Sequence, residues 1–373
     1  MKLNPSAAGV SPGRTLYLDN LRVYLTILVV FHHAAVTYGA PGSWYYSEPV
    51  DGLVSGLLLT MFVSTNQAFF MGLFFFLSAY FVLPSLTRKG VGRFMVDRLK
   101  RLGIPLVVYA FVLSPATIAV SLWARQESAG YWDIAGTEVG VLWFTAALLL
   151  FTAVYAALYA GGAVKERSVA LPGDGAVLLL GVAMGLVSFV VRLVYPIGTT
   201  VLLGFQPAHF TQYIVLFTLG VVAYRNGWIE SITPERGRKW RRIALVLIFI
   251  GLPCVYALKV ITHAEIDSFL GGLTIQAFAN ALWEQVLGVS MIMALLGIGK
   301  AWSTQGNVLT GMSRGAYAVY ILHPLVLVIV SVFLGAVALP SLVKLVLAGS
   351  VATAVSFGLA AVLVRTPLVR NVV

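Results

Sequence analysis

Apolar residues in this chain gather into stretches of about twenty, each long enough at about 1.5 Å per helical residue to cross a hydrocarbon layer of about 30 Å. Such stretches recur from Leu21–Tyr38 to Leu345–Val364, and short connectors holding most of the Lys and Arg separate them. Leu57–Leu83 is longer than one crossing needs and begins near Leu53. Later stretches include Phe210–Trp228, Leu273–Ile298 and Ala316–Leu339. The pattern predicts an all-α polytopic membrane protein, a bundle of about ten transmembrane helices.

Composition agrees: 59% of the 373 residues are hydrophobic and 10% charged, with a mean hydropathy of +0.91. An ordinary soluble enzyme is excluded, because so much apolar surface needs lipid to face. The net charge of +11 raises the question of nucleic acid. The basic residues sit in inter-span connectors, however, where they set topology, so no nucleic-acid partner is expected. Of the 25 Lys and Arg, all but Arg125, Arg192, Lys259 and Lys344 fall on one side of the expected membrane. That side is the cytoplasmic one by the positive-inside rule, and both termini are expected there, consistent with an even number of spans. The expected organisation is a cytoplasmic N-terminal tail (1–20), a transmembrane domain (21–364) and a cytoplasmic C-terminal tail (365–373). Arg22 interrupts the first apolar stretch and no small-residue cleavage site follows it, so the first helix is expected to be retained. Cys254 is the single cysteine, which excludes an intrachain disulfide and a cysteine-rich metal site.

Ionisable groups at membrane depth are costly and therefore functional candidates. Arg22 and His33 are eleven residues apart, which places them on one helix face about 16 Å apart along the axis. Asp19 is positioned to pair with Arg22. His32 points elsewhere on the helix, and either His32 or His33 fits the role of a base; His33 is favoured because it shares the face of Arg22. Taken alone, Arg22 also reads as a topological anchor. Arg98 and Arg101, at i, i+3 in the connector after the second span, suit a phosphate or pyrophosphate, and equally a lipid headgroup. Glu284 lies mid-span with Gln276, Asn280 and Gln285 nearby, and reads either as a catalytic carboxylate or as polar glue between helices. In the ninth stretch Tyr320 and His323 share a face, and Pro324 cannot donate to the Tyr320 carbonyl, which predicts a helix break beside His323.

No nucleotide-binding loop, serine elbow or metal-spaced His and Cys cluster is present, and no metal is expected. A base near cytoplasmic arginines suits group transfer from a phosphate-bearing donor.

The ordered segments resemble the integral-membrane acyltransferases of the acyltransferase 3 type. LDNLRVYLTILVVFHH carries an Arg and a His, Arg22 and His33, in the spacing of that family's opening helix. FFFLSAYFVLPSLTRKG followed by RLKR resembles its second span and Arg-x-x-Arg motif, with Arg98 and Arg101. LWFTAALLLF, LFTLGVVAYRNGWIE, ALWEQVLGVS and GAYAVYILHPLVLV follow in the family's order. The resemblance implies transfer of an acyl group, acetyl or succinyl, from acyl-CoA as donor substrate to a hydroxyl of an extracytoplasmic or lipid-linked carbohydrate. It implies the bacterial inner membrane as the location, with His33 as general base and Arg22, Arg98 and Arg101 holding the CoA phosphates or orienting the thioester. Two departures stand out: many relatives carry a Glu in the region after the Trp, where this chain has Trp143, Phe144 and Thr145 with no carboxylate following, and Ala79 follows Ser78 where relatives often have Gly. The hydrolase-like domain fused to some relatives is not expected, so transfer is expected to finish within the membrane domain. A transporter and a non-catalytic partner in glycan assembly are the competing readings; oligomeric state and acceptor identity stay open.

Overall fold

The computed structural model describes residues 12–165, 167–300, 311–370 and 372. Lys2, the tail expected before Pro12, and Asn371 and Val373 of the C-terminal tail lie outside the described residues. The helices are α1 (Pro12–Thr37), α2 (Leu53–Gln67), α3 (Phe70–Tyr80), α4 (Val82–Lys89), α5 (Val91–Arg98), α6 (Ile104–Val108), α7 (Ser114–Ala124), α8 (Trp143–Ala160) and α9 (Asp174–Val194). There follow α10 (Pro207–Asn226), α11 (Pro234–Val246), α12 (Leu252–Thr262), α13 (Ile275–Gly299), α14 (Ala316–Gly335) and α15 (Ser341–Leu363), with a few single turns between them. Among the described residues 9 helical segments are long and apolar enough to cross a membrane. The remaining expected span is α10, 20 residues long, whose His209 and Gln212 are buried against neighbouring helices. Exposed side chains such as Leu179 (68%), Val194 (70%) and Val260 (74%) form the apolar exterior that only lipid can cover. The chain is an integral membrane protein.

Prolines shape the spans. Where Pro105, Pro115 and Pro253 remove an N–H from the helix ladder, a π-turn precedes each: Leu99–Gly103, Tyr109–Leu113 and Leu247–Gly251. The carbonyl left over at Phe111, four residues before Pro115, accepts from the Tyr131 hydroxyl at 2.5 Å. The connector expected after the second span is itself largely helical: only Gly90 (φ 74) interrupts it, and α5 runs directly into a π-turn and α6. The long second stretch divides at Phe69 (φ −140, ψ −30). There the Gln212 amide donates to the Ala68 carbonyl at 2.8 Å. Gly288 admits that carbonyl, since a Cβ there would lie 2.3 Å from it.

Close crossings rely on glycine. A Cβ on Gly237 of α11 would stand 2.8 Å from the Gly297 Cα of α13, so backbone packs directly on backbone. An aromatic core of Phe75, Trp143, Phe144, Phe151 and Tyr213 fills the space between α3, α8 and α10.

Contacts define two ends of the bundle. One end joins Tyr17 to Gly299, Arg22 to Phe81, and Asp174 of α9 to Arg236 and Lys239 of α11. The opposite end joins the 38–52 loop to α7 and α15, and the end of α9 to the loop before α13.

Candidate active site

His33 and His323 lie 290 residues apart in sequence and meet with Nδ1 and Nε2 at 3.0 Å. The Tyr320 carbonyl can only accept, so His323 Nδ1 carries a hydrogen and donates to it at 2.8 Å. Neutral His323 then accepts at Nε2, which makes His33 Nδ1 the donor to it. The lone pair of neutral His33 is thereby fixed on Nε2. His323 is fully buried whereas His33 is partly exposed, so the free nitrogen belongs to the less buried residue of the pair.

The expected break at Pro324 is absent: α14 runs unbroken from Ala316 to Gly335. The reason is local, because His323 satisfies the carbonyl that Pro324 leaves without a donor. Tyr320 turns its hydroxyl to the Val141 carbonyl instead of toward His33.

A residue that the sequence pattern did not single out completes this end. The Trp44 indole stacks on His33 with ring centroids 4.0 Å apart and planes at 11°. Its loop is tightly held. Gly39 turns with φ 108, in a space where a Cβ would stand 2.5 Å from Val50 Cβ. Lys344 donates to Glu48 at 2.6 Å, and the Ser341 N–H donates to Asp51 at 3.0 Å. Ser121 donates to the Tyr45 carbonyl, as does Arg125 at 3.3 Å. Hydrogen bonds from Ser55 and Ser341 lower the Asp51 pKa. Burial, with Glu138 nearby, pushes the Tyr45 phenol up to about 12, and burial raises Glu138 itself. Trp44 carries no spacing signal, since a loop aromatic two residues after a glycine is common.

His32 faces away from this chain of hydrogen bonds: it is buried, with its ring 4.8 Å from Phe70. Arg22 lies toward the other end of α1, as expected. It donates to Asp19 at 3.2 Å and rests over the Phe81 ring at 4.6 Å. Arg98 stacks over Phe94 at 5.1 Å, within electrostatic range of both Arg22 and Arg101. Three guanidinium groups thus concentrate positive charge at one end of the α1 face whose other end carries His33, an arrangement suited to a polyanionic ligand.

Glu284 is not among the groups that touch His33. It accepts from Arg192 at 2.6 Å, and its carboxylate lies 3.2 Å from His209 Nδ1 and 3.3 Å from the Gln285 amide donor. All four side chains are buried. The sequence placed Arg192 only among the few basic residues of the outer side, and His209 went unnoticed because neither spacing nor motif connects it to Glu284.

A family of acyltransferase domains, the acyltransferase 3 family, matches residues 15–365. The chain belongs to this family. Among its relatives is the glucans biosynthesis protein C of Salmonella heidelberg (strain SL476), 24% identical over 251 residues that make up 62% of this chain and 64% of the relative. Proteins of the same description from Salmonella schwarzengrund and Salmonella paratyphi B show the same identity and coverage. The chain thus spans 64% of the length of the curated relatives it matches. No solved structure matches it.

Proposed function

We propose that this membrane acyltransferase moves an acyl group, acetyl or succinyl, from cytoplasmic acyl-CoA to a hydroxyl of a glucan-class carbohydrate at the opposite membrane face. The bacterial inner membrane is its proposed location, with both termini in the cytoplasm. The observation that carries the reading is the ordered chain from the Tyr320 carbonyl through His323 to His33, which holds a base lone pair on His33 Nε2. Family membership supplies the acyl chemistry, and the name of the Salmonella relatives supports a glucan acceptor.

In this reading the CoA phosphates rest on Arg22, Arg98 and Arg101, and the pantetheine arm extends along the α1 face toward His33. His33 Nε2 takes the proton of the acceptor hydroxyl as its oxygen bonds to the thioester carbon. The carbonyl electron pair moves to oxygen, then returns as the carbon–sulfur bond breaks. The departing thiolate takes the proton back from His33, leaving ester and CoA thiol. His323 keeps His33 in the right tautomer throughout, the part a carboxylate plays in other hydrolase and transferase sites. Glu284 is assigned a structural role in the second cluster.

The test is thiol release from acetyl-CoA and succinyl-CoA by purified protein in liposomes, with and without glucan oligosaccharides. Acceptor-dependent release by the wild type, lost in His33→Ala, is expected. Release unchanged by His33→Ala overturns the assignment and directs attention to His32.

A further inference from the structure

When His33 takes a proton it becomes an imidazolium inside the bundle, and something must stabilise that charge. Among the described residues no carboxylate pairs with His33. The titratable groups facing it are His323 from α14 and His32 from its own helix, and neither supplies negative charge. What does face it is the flat side of Trp44, 4.0 Å from ring centroid to ring centroid and nearly parallel. Tryptophan has the most electron-rich face of the aromatic residues and attracts a cation within about 6 Å of its centroid.

We infer that Trp44 is a positioning residue that stabilises the protonated state of His33 through its ring face, so that the loop closing this end of the bundle sets the strength of the base. The inference rests on His33 being the base. Three observations carry it. The stack is parallel, which presents the π cloud to the whole imidazole rather than to one atom. The ring is also nearly parallel to His323, at 15° with centroids 6.2 Å apart, so the indole lies along the plane of the hydrogen-bonded pair while its face is directed at His33. The loop is pinned after Trp44, at Tyr45 by Ser121 and Arg125 and at Glu48 by Lys344, and before it by the Ala40 N–H, which donates to the Ala35 carbonyl at 2.9 Å. A ring held that firmly stabilises charge without reorganising as the charge appears, which is the condition for a fixed group to lower a barrier.

The direction of the effect follows. A weaker ring face lowers the basicity of His33, so the rate plateau falls and the acid limb of the kcat profile, where His33 becomes protonated, moves to lower pH. The experiment replaces Trp44 by nonsense suppression with mono-, di-, tri- and tetrafluorotryptophan, which preserve shape and the indole N–H while draining the face. Log kcat is expected to fall in proportion to fluorination, reaching about tenfold, with KM for acyl-CoA unchanged and the acid limb displaced downward by up to about one pH unit. A structural role predicts a flat series, because fluorine hardly changes the packing. The same titration is read without turnover by NMR of ¹³C-labelled histidine, with the His33 signal assigned by its absence in His33→Ala. A His33 midpoint and a kcat that ignore fluorination overturn the inference while leaving the base assignment intact. Thiol release equal in wild type and His33→Ala overturns both.

Discussion

His323 donates from Nδ1 to the Tyr320 carbonyl at 2.8 Å, a bond that exists because Pro324 has no N–H to offer the same oxygen. An uninterrupted helix would close that carbonyl with the amide four residues on. Here the open position draws the histidine ring back along its own helix, fixes which nitrogen bears hydrogen, and aims Nε2 at His33. One residue with no functional group of its own therefore determines the polarity of the whole chain of hydrogen bonds.

Pro324→Ala tests this with opposite signs in stability and activity. The restored amide competes for the Tyr320 carbonyl and returns a ladder hydrogen bond to the helix interior, so the melting temperature in detergent is expected to rise. With His323 no longer held in one tautomer, kcat is expected to fall on the order of tenfold at unchanged KM. A variant that gains stability and keeps full activity contradicts the tautomer argument.

The spans were legible because hydropathy is additive along a stretch: α1, α10, α13, α14 and α15 end close to where the apolar runs end. The shared helix of Arg22 and His33 and the one-turn spacing of Arg98 and Arg101 were legible for a similar reason, since spacing on one helix, or within one turn, is a local property. The meeting of His33 with His323 was not, because packing between α1 and α14 is set by side chains spread over both helices. Pro324 was read as a break since its missing donor is visible in sequence while the compensating His323 ring is not. Glu284 shows the converse: a mid-span carboxylate signals that partners exist, but only the fold brings Arg192 of α9 and His209 of α10 to it.

Arg98 is expected to act on donor binding and not on chemistry. Arg98→Ala should raise KM for acetyl-CoA by roughly tenfold or more, the scale of one lost charge-assisted hydrogen bond, with kcat little changed. Acetyl-pantetheine, which lacks the nucleotide phosphates, is the control: its KM should be the same in variant and wild type. Equal losses with both donors would place Arg98 in the fold and not at the phosphates.

The Arg192–Glu284 pair is expected to matter chiefly for stability. Removing one partner leaves a buried charge without its counterion, at a cost of about 3–5 kcal/mol, so Glu284→Leu and Arg192→Met should each lower the melting temperature sharply. The double variant removes both charges and should be more stable than either single one. A thermal-melt double-mutant cycle measures this. Activity per folded molecule is expected to stay within a few-fold of wild type in the double variant, and its complete loss would return Glu284 to the catalytic groups.

The clasp between Asp51 and Ser341 makes a pH prediction whose sign follows from the direction of the Asp51 shift. Hydrogen bonds from Ser55 and from the Ser341 N–H and hydroxyl favour the carboxylate in the folded state, so its pKa is lower there than in the unfolded chain. A carboxylate with a depressed folded pKa contributes stability that is fully present above its unfolded value of about 3.9 and is lost as pH falls through the folded value. Between pH 7 and about 5 the clasp should therefore be indifferent to pH. In more acidic solution the Trp44 loop should loosen from the start of α15, seen as a lower protection factor, relative to the intrinsic exchange rate at each pH, at Ser341 and neighbouring amides. Asp51→Asn still offers an oxygen to the Ser341 N–H but has no proton to gain, so the protection factor there should lose its acid dependence. An acid-dependent fall in protection of equal size in both proteins would locate the sensitive group elsewhere, with Glu48 at Lys344 as the next carboxylate on the same loop.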